Sequence, residues 1–520
     1  MTLIMKTNLF YGLLFLTLIY SCTNDDVWDG IESTNIHPQS GSVLSDFDTF
    51  SKILSKAVSN NSDLRAFIKE EALKMTDNDY DVFYPLVKNK KVTADKTFKE
   101  ILKDYDFNNS LDAVEERLPL LTIYIPELPS GFSAENWNSF GDSPYVCTNL
   151  VENDSIFFYF GGDLHFKLES DLVPGFPVLV LKSNERIVKT TNTTRSDNPN
   201  IINGDYSFVD SAFDGINKRE AAVTRASVDE KAMQWKYNYS TEHIRLAYKE
   251  MGVNDGLWQR DNIYYGLNRN NTEGEIKRNI IENIACLRFS TQALYKIADQ
   301  TNDPKFYQDL HWSRKFEKSS PKDKSFWGEG RFEFKIDVLI GNTSGLGSVI
   351  TKYFSVEPWK LFHLTWDGIP MPRPSVKDRI LDMWVFKVTG SVPYSYNPDI
   401  DLIGWDLESN SVSWKFDIYE VDEQEVFTTQ EKVATEFAGN VGLNVGIGKK
   451  VGLNFGGSAK KVKENTFTKV MNKGSDHLGT LEVNFYDPIL KNNRSSRDIE
   501  NYYSAKNPMV EMTLIPKKIY

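Results

Sequence analysis

Cysteine and histidine are scarce in this sequence. Three cysteines and six histidines in 520 residues are too few for a disulfide framework, which sets several bridges in a short chain. His37, His165, His243, His311, His363 and His477 stand apart from one another, so no pair has the spacing of a metal-ligand set. H-E-x-x-H, G-x-S-x-G, the P-loop and G-x-G-x-x-G are all absent, which removes the enzyme classes built on them. Ser319-Ser320-Pro321-Lys322 satisfies S-x-x-K, but it lies in a polar run with no apolar helix to hold serine and lysine together. No cofactor is indicated. Cations are not in excess: 60 Lys+Arg face 72 Asp+Glu, a net charge of −12, and no basic stripe is present to neutralise phosphates, so nucleic acid is not the expected partner. Nor is there a run of the ~20 apolar residues that a membrane-spanning helix requires.

What is present begins at Met5, where residues 5–26 read MKTNLFYGLLFLTLIYSCTNDD. Lys6 gives a positive start, and residues 9–20 give an apolar stretch within the ~7–15 residues of a secretory signal. Leu18-Ile19-Tyr20-Ser21-Cys22 resembles a bacterial lipobox, in which a small residue precedes the cysteine that is acylated. The resemblance implies that residues 1–21 are removed as a signal peptide. Cys22 then carries fatty acid, palmitate among the chains, and the protein is an outer-membrane lipoprotein with the bilayer as its partner. Thr23-Asn24-Asp25-Asp26 is similar to the acidic export signal of Bacteroidetes surface lipoproteins; periplasmic and cell-surface placements both stay open.

Residues 22–45 are polar and read as a tether. From Phe47 the apolar residues take helical spacing, which predicts a helical module over 46–118, with Ser62 as an N-cap and a third helix near 97–105. Within it, LRAFIKEEALKM and DNDYDVFYPLV resemble the N-terminal part of uncharacterised Bacteroidetes secreted lipoproteins over residues 46–105. That resemblance implies no activity. Past Pro119 the period changes. Strands at 156–160, 164–168, 177–181 and 186–189, separated by Gly161-Gly162-Asp163 and Val173-Pro174-Gly175, predict a small antiparallel β module over 119–189. Residues 190–231 read as a linker. The remainder, 232–520, is predicted to be a larger β-rich domain, with a strand near 262–266 and a helical segment near 275–300. From Phe332 onward it carries alternating strands that pack as a sandwich. The predicted class is α+β, predominantly antiparallel β.

Four features are candidates for function. Asp77, Asp79 and Asp81 have the D-x-D-x-D spacing with which calcium loops begin, because alternate carboxylates converge on one hard cation. Val82 and Lys88 then stand where the loop needs glycine and glutamate, so the metal signal is weak and a solvated turn competes with it. Cys147 and Cys286 are either bridged or separately buried. Among the 11 tryptophans, Trp327 and Trp366 are candidate contacts for a glycan or protein ligand, with core packing as the alternative. Lastly, residues 433–457 alternate: Val441, Leu443, Val445 and Ile447, then Val451, Leu453 and Phe455 after Lys449-Lys450, share one face of a long hairpin.

That hairpin either closes the sandwich or resembles the insertion hairpin of aerolysin-like pore-forming proteins, whose strands join into a membrane barrel. Lys449 and Lys450 weigh against the second, at ~2–4 kcal/mol each near the bilayer midplane. The expected function is that of a lipid-anchored, non-catalytic binding or structural module. Pore formation and an unrecognised hydrolase are the alternatives.

Overall fold

The structure is a computed structural model that describes residues 43–150, 155–170, 172–190, 200–216, 240–253, 258–297, 327, 330–371, 383–407, 409–421, 426–438, 441–444, 450–453, 460–472, 475–494 and 498–519. Its first element is the helix Val43–Asn60, which forms because Phe47, Phe50, Leu54, Ala57 and Val58 fall on one face and are buried. Ser62–Ala72 starts at Asn61 rather than at the expected Ser62: the Asn61 side chain accepts from the Leu64 N–H at 2.9 Å. Phe98–Lys103 is closed by a reciprocal capping box between Thr97 and Glu100.

These helices lie against a six-stranded sheet whose order is Asp81–Phe83, Leu121–Tyr124, Val178–Ser183, Tyr145–Thr148, Ser155–Phe160, Asp163–Glu169. Tyr145–Thr148 runs parallel to Val178–Ser183, and the other neighbours are antiparallel. Phe50, Tyr84 and Phe98 from the helical part share one core with Val146, Phe158 and Leu179 from the sheet. The two expected modules are therefore one unit, since an amphipathic helix and a half-buried sheet each need a partner and here cover each other. Part of the expected linker is also folded. Tyr206–Phe208 pairs with Ile187–Lys189, and Phe208 and Phe213 pack with Phe83 in a small separate cluster.

Two expectations in the second unit are reversed. Gln259–Tyr265 is a helix, ended by Gly266 in the left-handed region at φ 72°, not a strand. The helical segment expected near 275–300 is the strand Ile280–Phe289 followed by the short helix Thr291–Ile297. Ile280, Ile281 and Ile284 suit a pleated surface, and the strand is held by Val510–Lys518 from the far end of the chain.

The predicted sandwich is present. One sheet is ordered Ser348–Val356, Phe332–Asn342, Asn410–Glu420, Asp476–Asn484; the other contains Ile280–Phe289 beside Val510–Lys518. Their facing sides share one core and meet where Phe289 stacks on Phe334 at 4.6 Å; Phe485, at the end of the first sheet, adds contacts with Trp414 of its neighbouring strand at 4.6 Å and with Trp405 at 5.0 Å.

Two ribbons leave this sandwich. In the first, Phe362–Pro370 pairs with Trp384–Pro393, and the latter also adds to Leu172–Pro174 of the first unit. Phe362 and Val388 sit in the sandwich core and Val385, Met371 and Met383 in the first core, so this ribbon bridges both units. In the second, Val426–Ala438 pairs with Lys460–Asn472, each of 13 residues, and Val441–Asn444 pairs with Lys450–Leu453 beyond it. The hairpin is thus longer at its base than the alternation of 433–457 predicts. Of the residues on its predicted apolar face, Val445, Ile447 and Phe455 lie outside the described residues. Val441 is in register with Leu453 and Leu443 with Val451.

Candidate functional site

The three aspartates of the D-x-D-x-D stretch do converge, but on organic cations. Asp79 and Asp81 flank the Arg186 guanidinium at 3.0 and 3.4 Å, and Asp77 stands 3.7 Å from it. Lys182 reaches Asp81 at 3.1 Å and Glu185 at 2.6 Å. From the second unit, Glu333 accepts from Arg186 Nε at 2.6 Å, while Arg331 donates to the Asn78 carbonyl and pairs with Glu357 at 3.0 Å. The geometry follows from the strands. Asp81 opens an edge strand, Lys182 lies near the end of the apolar run Val178–Ser183 one strand further in, beyond Leu121–Tyr124, and Glu333 lies on Phe332–Asn342. The calcium-type turn is therefore a buried ion cluster in which Arg186 takes the position of the metal. Among the described residues no group of His, Cys, Asp and Glu is arranged to hold a metal ion.

Burial raises Asp77 and Asp81 above the usual carboxylate range, and it takes Glu333 up to about 8. At Asp79 burial acts the same way, but Arg186, Lys182 and Arg331 outweigh it and hold the group low. Burial disfavours the charge on Lys182, yet Asp81 and Glu185 keep its ammonium well above its ordinary range. Burial thus pushes Asp77, Asp81 and Glu333 toward the un-ionised form, while the cations around Asp79 favour its ionised form.

A second polar layer lies between the sandwich and the long hairpin. Asp417 on the strand Asn410–Glu420 accepts from Lys469 Nζ at 2.8 Å and from the Thr480 hydroxyl at 2.5 Å. Lys469 also pairs with Glu431 across the hairpin at 2.9 Å. Lys335 pairs with Asp337 at 2.8 Å and donates to the Val470 carbonyl; Asn465 donates to Thr435 and accepts from the Asn342 N–H at 3.0 Å. The hairpin's inner face consists of Thr435, Phe437, Asn465, Phe467 and Lys469, all buried, so it is mixed rather than greasy. Gly341 lets it approach: a methyl group there would stand 2.8 Å from Thr435 Cβ.

The tryptophans divide. Trp327 is in the first core, stacked on Phe158 at 6.0 Å and donating to the Leu172 carbonyl at 3.1 Å, so it presents no binding face. Trp366 is half-buried on the bridging ribbon, against both cores. The ribbon's exposed tryptophan is Trp384, at 44%, which the alternation of its strand places in a core. Cys147 and Cys286 are free thiols buried in different cores. His165 is half-buried between the rings of Tyr145 and Phe160 at 5.8 and 5.6 Å. Cys22, Lys449 and the S-x-x-K lysine and serines lie outside the described residues, whereas Lys450 opens the strand Lys450–Leu453, in register with Asn444.

The residues that sequence reasoning missed are Lys182, Arg186, Glu333, Lys335, Asp417 and Lys469. A visible signal was available for the first two, as cations that interrupt or directly follow an apolar strand. Among the described residues no helix is long and apolar enough to cross a membrane. Comparison with family models, with curated proteins and with solved structures found no match to this chain.

Proposed function

We propose that the chain is a Bacteroidetes-type lipoprotein, anchored in the outer membrane through acylated Cys22, that acts as a non-catalytic binding module. The observation that carries the binding reading is the bridging ribbon. Its register sets Trp366 beside Val388, Gly368 beside Phe386 and Pro370 beside Trp384, so alternate residues give one aromatic face. Gly368 keeps that face open, since a methyl group there would stand 3.3 Å from the Phe386 ring and 3.5 Å from the Trp384 ring. The ribbon is pinned to both units, so its rings are pre-positioned and little ordering remains for a ligand to impose. The ligand class is a glycan or other extended surface polymer that stacks on rings. A hydrolase reading is less well supported, because the carboxylates brought together are buried against Arg186 and Lys182.

The test has two arms. Alkyne fatty-acid labelling of cells should mark the protein and fail for Cys22→Ala; an unlabelled native protein overturns the anchor. Soluble polysaccharides should quench tryptophan fluorescence, and Trp384→Ala should lose that response with its unfolding midpoint unchanged. Binding unaltered in Trp384→Ala overturns the ribbon as the site.

A second reading, membrane insertion by the long hairpin, is favoured by a separate observation. Glu420 pairs with Asp476 at the end of the sandwich ladder, and Val426 with Asn472 at the start of the hairpin ladder. The two ladders are thus one antiparallel pair folded back on itself. Straightened, its 13-residue strands would reach ~43 Å at ~3.3 Å per residue, beyond the ~9–11 residues a membrane strand needs. Leakage of lipid vesicles that stops in an oxidised Leu346→Cys/Thr466→Cys variant, a pair bridged between the sandwich and the hairpin, and returns on reduction supports this reading; no leakage, or equal leakage from the locked form, removes it.

A further inference from the structure

We propose that the junction between the two units closes around two un-ionised carboxyl groups, so that acid tightens it and alkali loosens it. The charge inventory carries this inference. Around Arg186 the facing groups are Asp77, Asp79 and Asp81 from the first strand and its approach, and Lys182, Glu185 and Arg186 from the end of Val178–Ser183 and the turn after it. The second unit supplies Arg331, Glu333, Glu357 and Lys360. Six carboxyl groups meet four cations, an excess of two negative charges. The side chains of Asp77, Asp81, Lys182, Arg186 and Glu333 are each at most 1% exposed. Bulk water and counter-ions are therefore not available to balance that excess, and a buried carboxylate without a partner takes up a proton instead.

The positions of the two protons are marked by geometry. Asp77 Oδ1, Asp81 Oδ1 and Glu333 Oε2 are buried and accept no hydrogen bond; Asp77 Oδ1 is itself turned to the Arg186 guanidinium at 3.7 Å, whereas at Asp81 and Glu333 it is the second oxygen that faces Arg186 or Lys182. A carboxylic acid has this division: one oxygen still accepts from the cations, and the other holds its own hydrogen. Burial pushes both groups in the direction that keeps them un-ionised.

The sign follows from linkage. In the open or unfolded chain these groups lose their protons above about pH 4, while in the closed junction Glu333 keeps its own to about 8. The closed form therefore binds more protons across that window. Its stability is full below the unfolded value and falls as pH rises through the folded one. Each retained proton makes the opening equilibrium rise about tenfold per pH unit inside the window, and two make it about a hundredfold.

The experiment measures amide exchange of the strands Leu121–Tyr124 and Phe332–Asn342 in the full chain between about pH 5 and 8, corrected for the intrinsic rate. Glu333→Gln and Asp81→Asn, which imitate the protonated acids, should fold at neutral pH and each reduce the slope by about one proton. Equal slopes in the wild type and both variants overturn the inference. So does a divalent cation carried by the native protein in intact mass spectra, because it would balance the excess charge. If the variants fail to fold, the infrared spectrum of the wild type decides. A band of un-ionised carboxylic acid that vanishes as the strands begin to exchange supports the proposal, and a spectrum unchanged across the window refutes it.

Discussion

Lys469→Met should release the long hairpin while leaving the sandwich folded. Its ammonium is clasped by Asp417 at 2.8 Å and Glu431 at 2.9 Å, and the Lys469 and Asp417 side chains are each 7% exposed. Burial opposes the charge on Lys469, but the two carboxylates outweigh it and raise its pKa. Methionine keeps the aliphatic stem and removes the charge, so the loss is electrostatic rather than steric. Removing one partner of a buried pair costs ~3–5 kcal/mol, because the other charge is left behind. Asp417 retains the Thr480 hydroxyl, and Glu431, at 39% exposed, recovers its water, which adds at most ~1 kcal/mol. The low end, ~3 kcal/mol, is therefore expected, about a hundredfold in the opening equilibrium. Amide exchange of Val426–Ala438 and Lys460–Asn472 should accelerate by that factor, with a smaller change in Phe332–Asn342. Adding Asp417→Asn should restore part of the protection, since no charge is then buried alone. If the single variant exchanges like the wild type, or if the double variant is no better protected, the ion pair does not hold the hairpin.

Trp327→Ala should destabilise the first unit by ~3–5 kcal/mol in urea unfolding, from lost ring packing and an unpaired Leu172 carbonyl; a shift below ~1 kcal/mol would place the ring outside the core. Gly330→Ala should cost ~1–3 kcal/mol, because a methyl group built on Gly330 collides with the Asp79 carboxylate. Its midpoint compared with the wild type tests how firmly that cluster is fixed. His243 donates through Nε2 to the Pro516 carbonyl at 2.9 Å, and burial holds it down to about 4. A depressed histidine is neutral when folded and takes up its proton only on unfolding. Its contribution is therefore present above the unfolded value of about 6.5 and lost as pH falls toward 4, by ~2–3 kcal/mol. Urea midpoints measured over that range should be flatter for His243→Gln.

Much of the fold was written locally. The stripe from Phe47 to Val58 specifies its helix whatever lies elsewhere, and the alternation from Phe332 to Ile340 specifies a strand, though not that its polar face, with Glu333, Lys335 and Asp337, is buried as well. Ile280–Phe289 was not legible in this way. Its apolar residues fit a helix or a strand, and the choice is made by Val510–Lys518, to which no local pattern points. The aspartate triplet was legible as a point of convergence but not in what it converges on, because Arg186 and Glu333 reach it through tertiary structure. The exposure of Trp384 is not legible for a related reason: alternation separates two faces but does not say which one a neighbouring sheet will cover.

The apolar and the polar layer of the second unit differ in what they permit. Between the two sandwich sheets the contact is apolar, with Phe289 on Phe334 in one shared core, and such contact tolerates small shifts because it has little direction. Beneath the long hairpin the contact depends on Lys469 with Asp417, Lys335 with the Val470 carbonyl, and Asn465 with the Asn342 N–H. Each of these needs correct distance and angle. A slide by one residue would set inward Lys469 outward and bring exposed Val470 or Thr468 onto Asp417, so partial displacement forfeits the whole set together. The hairpin is accordingly docked in one register or not docked at all. That all-or-none character, more than its length, separates it from an ordinary sandwich strand, and it makes Lys469 rather than the tip lysines the residue on which its release depends.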